Sequence, residues 1–254
     1  MVRVVFFRCY LTVYADVHSS SMVKGVRSVT DADLLALQFS LQRIGMDSDG
    51  CLIRLPGPNP DGVPRVYCAT LDGISTIYLR ADVAQPLRKQ LSALTSAQIR
   101  DDPAAVCAIL AQQAPCGSVW RGSSAVAERA IGEDEHPDAR ALHPTVADER
   151  ALLDAFDAEM AVYGWPVYAV VRDGRVVSAC VSSREDGHGG EAWVQTLREA
   201  RGRGYARQAT AAWAHTLQGA GKVPFYSYSD DNVASAGVAR SLGLRVYLHD
   251  VGYS

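Results

Sequence analysis

The chain has 254 residues, a formal charge of −3 and 48% hydrophobic residues. That length suits one large domain or two small ones, with enough apolar content for a packed core. The near-neutral balance argues against a dedicated nucleic-acid binder, which carries a basic domain, and no stretch supplies the ~20 apolar residues of a membrane-spanning helix.

The N-terminal stretch MVRVVFFRCYLTVYADVHSSSM is apolar but broken by Arg8, and no small-residue cleavage motif follows it. Residues 1–21 read as a leader or an extra strand, and a more conventional start follows at Met22. Thr30-Asp31-Ala32-Asp33 opens a helix in the manner of a capping box, with Leu34, Leu37, Leu41 and Ile44 at helical spacing. LPGPNPDGVP (55–64) is a turn-rich loop. Val66–Leu71 and Ser75–Leu79 flank an Asp-Gly pair and read as a hairpin. Helices are expected over Ala84–Leu94 and Ala104–Gln112. Residues 22–135 thus form a small mixed α/β domain without a chemical motif of its own.

The six cysteines, at positions 9, 51, 68, 107, 116 and 180, contain no C-x-x-C pair, and no histidine pair stands near them at zinc-ligand spacing. They read as free thiols in a reducing compartment, with no metal site, which points to the cytoplasm.

GEDEHPDARALHP (132–144) is acidic, holds two prolines and lacks an apolar period, so it is the candidate boundary before a second domain over 140–254. Thr145-Val146-Ala147-Asp148 opens another capped helix, with Leu152, Leu153, Phe156 and Met160 on its apolar side. Past Pro166 the pattern changes. VYAVV and RVVSACVS are strands joined by a tight RDGR hairpin, and Glu191–Leu197 is a third. ARGRGYARQATAAWAH (200–215) is a glycine turn and a helix, VPFYSYS a fourth strand, NVASAGVARSL a short helix and GLRVYLH a fifth strand. The order β-β-β-α-β-α-β gives an α/β (α+β) fold, a mixed central sheet with helices on its faces.

The glycine turn poses the chemical question. The first amides of a helix have no internal partner and, with the helix dipole, favour an anion. Gly202 and Gly204 let a phosphate approach the backbone, and Arg201 and Arg203 add charge. The turn lacks the third glycine of a dinucleotide-binding fingerprint and the Gly-Lys-Ser/Thr of a Walker A loop.

Arg201-x-x-Gly204-x-Ala206 resembles the acyl-CoA pyrophosphate loop of the GNAT (GCN5-related N-acetyltransferase) superfamily, whose pattern is Gln or Arg, two residues, Gly, one residue, then Gly or Ala. EAWVQTLREARGRGYA is similar to that family's central strand, loop and helix start. NVASAGVARSLGL is similar to its later helix, and together these cover about residues 145 to 254. IYLRADVAQPLRKQL, GSVWRGSS, EAWVQT and VPFYSYSDDN resemble a bacterial subgroup with an N-terminal companion domain.

The resemblance implies an acetyl-CoA-dependent N-acetyltransferase with a GNAT-like fold. Val194 and Thr196 would pair with the pantetheine arm. The amides of Gly202, Arg203, Gly204, Tyr205 and Ala206, helped by Arg201, would hold the pyrophosphate. Asn232 would meet the cofactor or serve as a helix N-cap, or both. Transfer would be direct to a small-molecule or peptide amine, through an oxyanion held by a backbone N–H, that of Val194. Glu191, the one carboxylate on its strand, would act as base, although strand alternation places it on the face of Trp193 and Gln195, opposite Val194 and Thr196, unless a bulge changes the parity. The family's usual tyrosine acid falls at Ala239 here, and Tyr228 is the substitute. His249, Asp250 and His188 read as solvated ends or loops. The alternatives are a catalytically silent acyl-CoA binder and, more weakly, a nucleic-acid surface built on Arg198, Arg201, Arg203 and Arg207. Neither a nucleic-acid partner nor a membrane is expected, and the acceptor's identity is open.

Overall fold

The computed structural model describes residues 29–57, 62–143, 145–157, 160 and 166–254. The expected leader or strand over 1–21 lies outside them. The chain divides into two compact units, one running up to Val119 and including Val251–Ser254, the other Trp120–Asp250.

In the first unit, α1 (Asp31–Leu41) starts from the capping box expected there. The Thr30 Oγ1 accepts from the Asp33 amide at 3.2 Å and the Asp33 carboxylate accepts from the Thr30 amide at 2.9 Å. The periodicity does not carry on to Ile44, which opens β1 (Ile44–Met46), paired antiparallel with β2 (Leu52–Arg54). The hairpin β3 (Val66–Leu71) and β4 (Ile74–Leu79) turns through Asp72 and Gly73, both at positive φ, the turn that an Asp-Gly pair favours. Helices α2 (Gln85–Ser92), α3 (Ser96–Asp101) and α4 (Pro103–Leu110) follow. Leu87, Leu91, Ile99, Val106 and Leu110 pack with Val66, Cys68, Val251 and Tyr253 as one core. Arg65, only 4% exposed, donates to the carbonyls of Leu110, Ala114, Pro115 and Ser254, so its buried charge is met by carbonyls at the end of α4, in the loop after it and at Ser254. Burial lowers its pKa.

One expectation needs correction here. Cys107 and Cys116 are joined in a disulfide, against the reading of free thiols, because α4 and the loop after it bring the two together. Cys51, Cys68 and Cys180 are buried. The short α3, opened by a Thr95–Gln98 capping box, was not anticipated.

The second unit holds β5 (Val119–Val126) from Trp120 on, β6 (Ala139–Leu142), α5 (Ala147–Phe156), β7 (Val167–Arg172), β8 (Arg175–Glu185), β9 (Gly189–Thr196), α6 (Tyr205–Gly219), β10 (Val223–Ser229), α7 (Val233–Ser241) and β11 (Arg245–Tyr253) as far as Asp250. Its strands lie in the order β11-β5-β10-β9-β8-β7-β6. β9 and β10 are parallel, and the β5–β10, β6–β7, β7–β8 and β8–β9 pairs are antiparallel. The mixed sheet flanked by helices is the fold read from the sequence. On one face α6 buries Ala209, Ala212, Trp213 and Leu217 against Tyr168 and Cys180. On the other, Leu153 and Met160 pack on Val167, Ala169, Ala179 and Val181. The β7–β8 hairpin turns at Asp173 and Gly174, again both at positive φ.

The acidic stretch 132–144 lies inside this unit. Glu133–Glu135 form a 3-10 turn, and Ala139–Leu142 are the edge strand β6, too short to show alternation in the sequence. α5 begins after Val146 without a side-chain cap; Glu149 instead accepts the His143 amide at 2.8 Å.

Candidate active site

β9 and β10 pair only through Val223↔Gly189, Pro224↔Gly190 and Phe225↔Glu191. Beyond that point β9 stays with β8 as far as Thr196↔Ser178, and β10 stays with β5 as far as Ser229↔Gly122. The two central strands therefore part at Glu191 and Phe225. Ala192–Thr196, which include Val194 and Thr196, keep an edge that β10 does not cover. Such an edge accepts an extended polar chain through its backbone groups.

The open end of this split leads into the glycine loop. A 3-10 turn at Arg198–Ala200 ends β9, and Gly202 and Gly204 follow at φ +76° and +78°. Only glycine adopts that conformation without strain. A Cβ added at either position would meet nothing within 4 Å, so the loop surface is open. Gly204 is the N-cap of the 15-residue α6 and gives it no side-chain bond. Among the described residues, the amides of 202–207 take no backbone acceptor. Arg201 folds back so that its Nε donates to the Thr196 carbonyl at 3.3 Å, while Arg203 stands exposed. The Tyr205 ring lies 5.2 Å from the guanidinium of Arg172, which also pairs with Asp138. Asn232 caps α7, its Oδ1 accepting from the Ser235 amide at 3.0 Å, a bond that uses its oxygen and not its NH2.

Arg207 belongs to the scaffold. It donates to the Glu135 carboxylate at 2.8 Å and to the Ser241 carbonyl at 3.1 Å. Glu135 also takes both guanidinium nitrogens of Arg129. Those bonds from Arg129, together with the Gly132 amide and the charge of Arg207, outweigh burial and hold its carboxyl at about 2. A nucleic-acid surface that counted on Arg207 thus loses one of its four cations to an internal partner.

Glu191 is 5% exposed and sits at the apex of the split. Its Oε2 accepts from Arg184 Nη1 at 2.7 Å and its Oε1 from Ser227 Oγ at 2.7 Å. A register shift makes Ser183 the extra residue of β8, and its hydroxyl donates to the Glu191 carbonyl at 3.1 Å. Because this bulge is in β8, the alternation of β9 is intact: Val194 packs on the α6 side and Trp193 on the α5 side. Glu191 shares its face with Ser227, and Tyr228, the next residue, points to the other face. The structure therefore does not bring Glu191 and Tyr228 together. Ala239 is buried in α7 at 1% exposure.

His249 is exposed, with Nδ1 2.9 Å from Ser123 Oγ, and Asp250 accepts from Trp120 Nε1 at 3.3 Å. His188 is an exposed turn residue whose amide donates to Asp186 at 2.7 Å. Sequence reasoning did not find Arg184, Ser124 and Ser227. The alternation of SYS in β10 was the available signal for Ser227, but which face it joined depended on the register with β9. Among the described residues, no group of three or more His, Cys, Asp or Glu side chains is placed to hold a metal ion. No helix among them is long and apolar enough to cross a membrane.

Three comparisons with solved structures show the range of likeness. A GNAT-family structure from Novosphingobium aromaticivorans is 23% identical over 54% of this chain and 65% of that one, with a TM-score of 0.45. This chain therefore spans just under two thirds of that relative's length. A GCN5-related N-acetyltransferase-like protein from Streptococcus suis is 15% identical over 75% of this chain and 84% of its own, at 0.44. A GNAT-family acetyltransferase from Colwellia psychrerythraea is 13% identical over 91% and 98%, at 0.47. No curated protein sequence matches. The family model described as GNAT acetyltransferase matches residues 167–249, the span that carries the split strands, the glycine loop and the capped α7. Over this segment the chain carries the domain that the GNAT acetyltransferase model describes.

Proposed function

We propose that the protein is an acetyl-CoA-dependent N-acetyltransferase that moves the acetyl group directly to an amine of a small molecule or peptide. The observation that carries this reading is the parting of β9 and β10 directly upstream of an open glycine loop at a helix N-terminus. In this reading the uncovered edge of β9, with Val194 and Thr196, pairs with the pantetheine arm. The amides of Gly202 through Ala206 hold the pyrophosphate, with Arg201 and Arg203 adding charge. The positive φ at Gly202 and Gly204 and the empty space beside each fit an approaching phosphate. Asn232 reaches the cofactor with its NH2 while its oxygen keeps the cap.

Glu191 is the base, and the Val194 amide faces the oxyanion. Tyr228, on the opposite face from Glu191, remains the candidate acid for the leaving thiolate; with a pKa of ~8.5 a thiolate also departs without much help. The reading of a silent acyl-CoA binder draws on one observation, the buried Ala239 in place of the family's tyrosine.

One experiment tests both. Full-length protein is given acetyl-CoA and a panel of amines, and free thiol release is followed while CoA binding is measured by calorimetry. Turnover with at least one amine supports the transferase. Binding without turnover supports the silent binder. No CoA binding at millimolar concentration removes both.

A further inference from the structure

The base assigned to Glu191 is almost buried, and donors from the protein already engage both of its oxygens. Oε2 is held by Arg184 and Oε1 by the Ser227 hydroxyl. Ser227 lies on β10 two residues past Phe225, the last residue of that strand to pair with β9. It is half-buried, more open than Glu191, and stands on the side where the strands have separated. Its Oγ is also 2.9 Å from Ser124 Oγ on β5, so the hydroxyl is fixed by partners on the strands at either side of its own. A hydroxyl can accept one proton while donating another. An ammonium in the split would meet this hydroxyl before it reached the carboxylate.

We infer that Ser227 relays the acceptor's proton to Glu191. The inference rests on the acetyl-transfer reading above. An N–H bond of the acceptor ammonium breaks as an Oγ–H bond forms on Ser227, and the hydroxyl's own proton passes to Glu191 Oε1. The freed lone pair on nitrogen forms the new C–N bond at the thioester carbonyl. The C–S bond then breaks, sulfur leaves with the electron pair, and a second proton from nitrogen passes to the thiolate through solvent. Glu191 returns its proton to solvent after the product departs. Ser124 is a positioning residue that holds the Ser227 hydroxyl in line, and Arg184 holds the carboxylate at the other end.

The test is a double-mutant cycle on the full chain, with S227A, S227T, E191Q and S227A/E191Q. CoA affinity by calorimetry serves as the folding control. The relay predicts unchanged CoA affinity in all four. It also predicts a kcat loss in S227A approaching the 10²–10⁴-fold typical of removing a general base. The double variant should be no slower than E191Q alone, because residues that act as a unit do not add. Threonine keeps the hydroxyl, so S227T should recover most of the rate. Full turnover in S227A overturns the relay, as do multiplicative losses in the double variant or a loss of CoA affinity in step with kcat. An impaired E191Q beside an unimpaired S227A removes the relay alone. An unimpaired E191Q instead removes Glu191 as the base in the proposed function, and the relay with it.

Discussion

Gly204 offers the sharpest perturbation of the phosphate-binding reading. At φ +78° it occupies the left-handed region, and a side chain added there meets nothing within 4 Å. Alanine therefore costs backbone strain alone, about 1–2 kcal/mol. For a protein of this size that is a fall in Tm of roughly 2–8 °C. Aspartate tolerates the left-handed region at least as well, so Gly204→Asp should fold about as stably as Gly204→Ala. The two differ in charge. A carboxylate about 5 Å from a phosphate charge, at an effective dielectric of about 20, is repelled by about 3 kcal/mol. That is roughly a hundredfold loss of affinity at low salt, and screening reduces it as salt rises. Calorimetric titration of CoA into both variants, beside their thermal melts, reads the difference. Equal CoA affinity in Gly204→Asp and Gly204→Ala, with both folded, would refute the assignment of this loop to the pyrophosphate.

Three further outcomes are expected. Glu191→Gln should lose 10²–10⁴-fold in turnover at pH 7 while keeping CoA affinity, and the loss should shrink at high pH, where more acceptor amine is already neutral; a pH–rate series on both enzymes checks it. Glu135, lowered from 4.5 to about 2 chiefly by Arg129, has a depressed folded-state pKa. Its contribution to stability is complete above the unfolded value and is lost as pH falls through the folded one, so wild type should weaken between about pH 4.5 and 2 and Glu135→Gln should flatten that decline in acid urea melts. Trp213, 2% exposed with its Nε1 on the Ser182 hydroxyl at 2.9 Å, should cost about 3–5 kcal/mol when changed to alanine, read as a shift in the urea midpoint with unchanged slope.

The sequence by itself determined the local features of this protein, because local chemistry specifies them. Asp-Gly pairs set both tight hairpins, Thr30 set the start of α1, and Gly202 and Gly204 marked a backbone that other residues do not adopt easily. The order of elements from β7 to β11 was legible for the same reason, since each strand is long enough to display alternation and each break carries a turn residue. Tertiary structure alone decided the rest. It placed VWRGSSAV, a stretch with little apolar alternation, beside β10 as the strand β5, where cross-strand neighbours and not intrinsic preference justify it. It tied the acidic segment to the second unit, because Glu135 meets Arg207 only once α6 has packed. It also decided the surroundings of Glu191. The sequence gives its alternation along β9, but Arg184 lies seven residues away and Ser227 thirty-six, and they converge on one carboxylate through the β8 bulge and the β9–β10 register. Register and bulge follow from how whole strands pair, so no window of local sequence carries them.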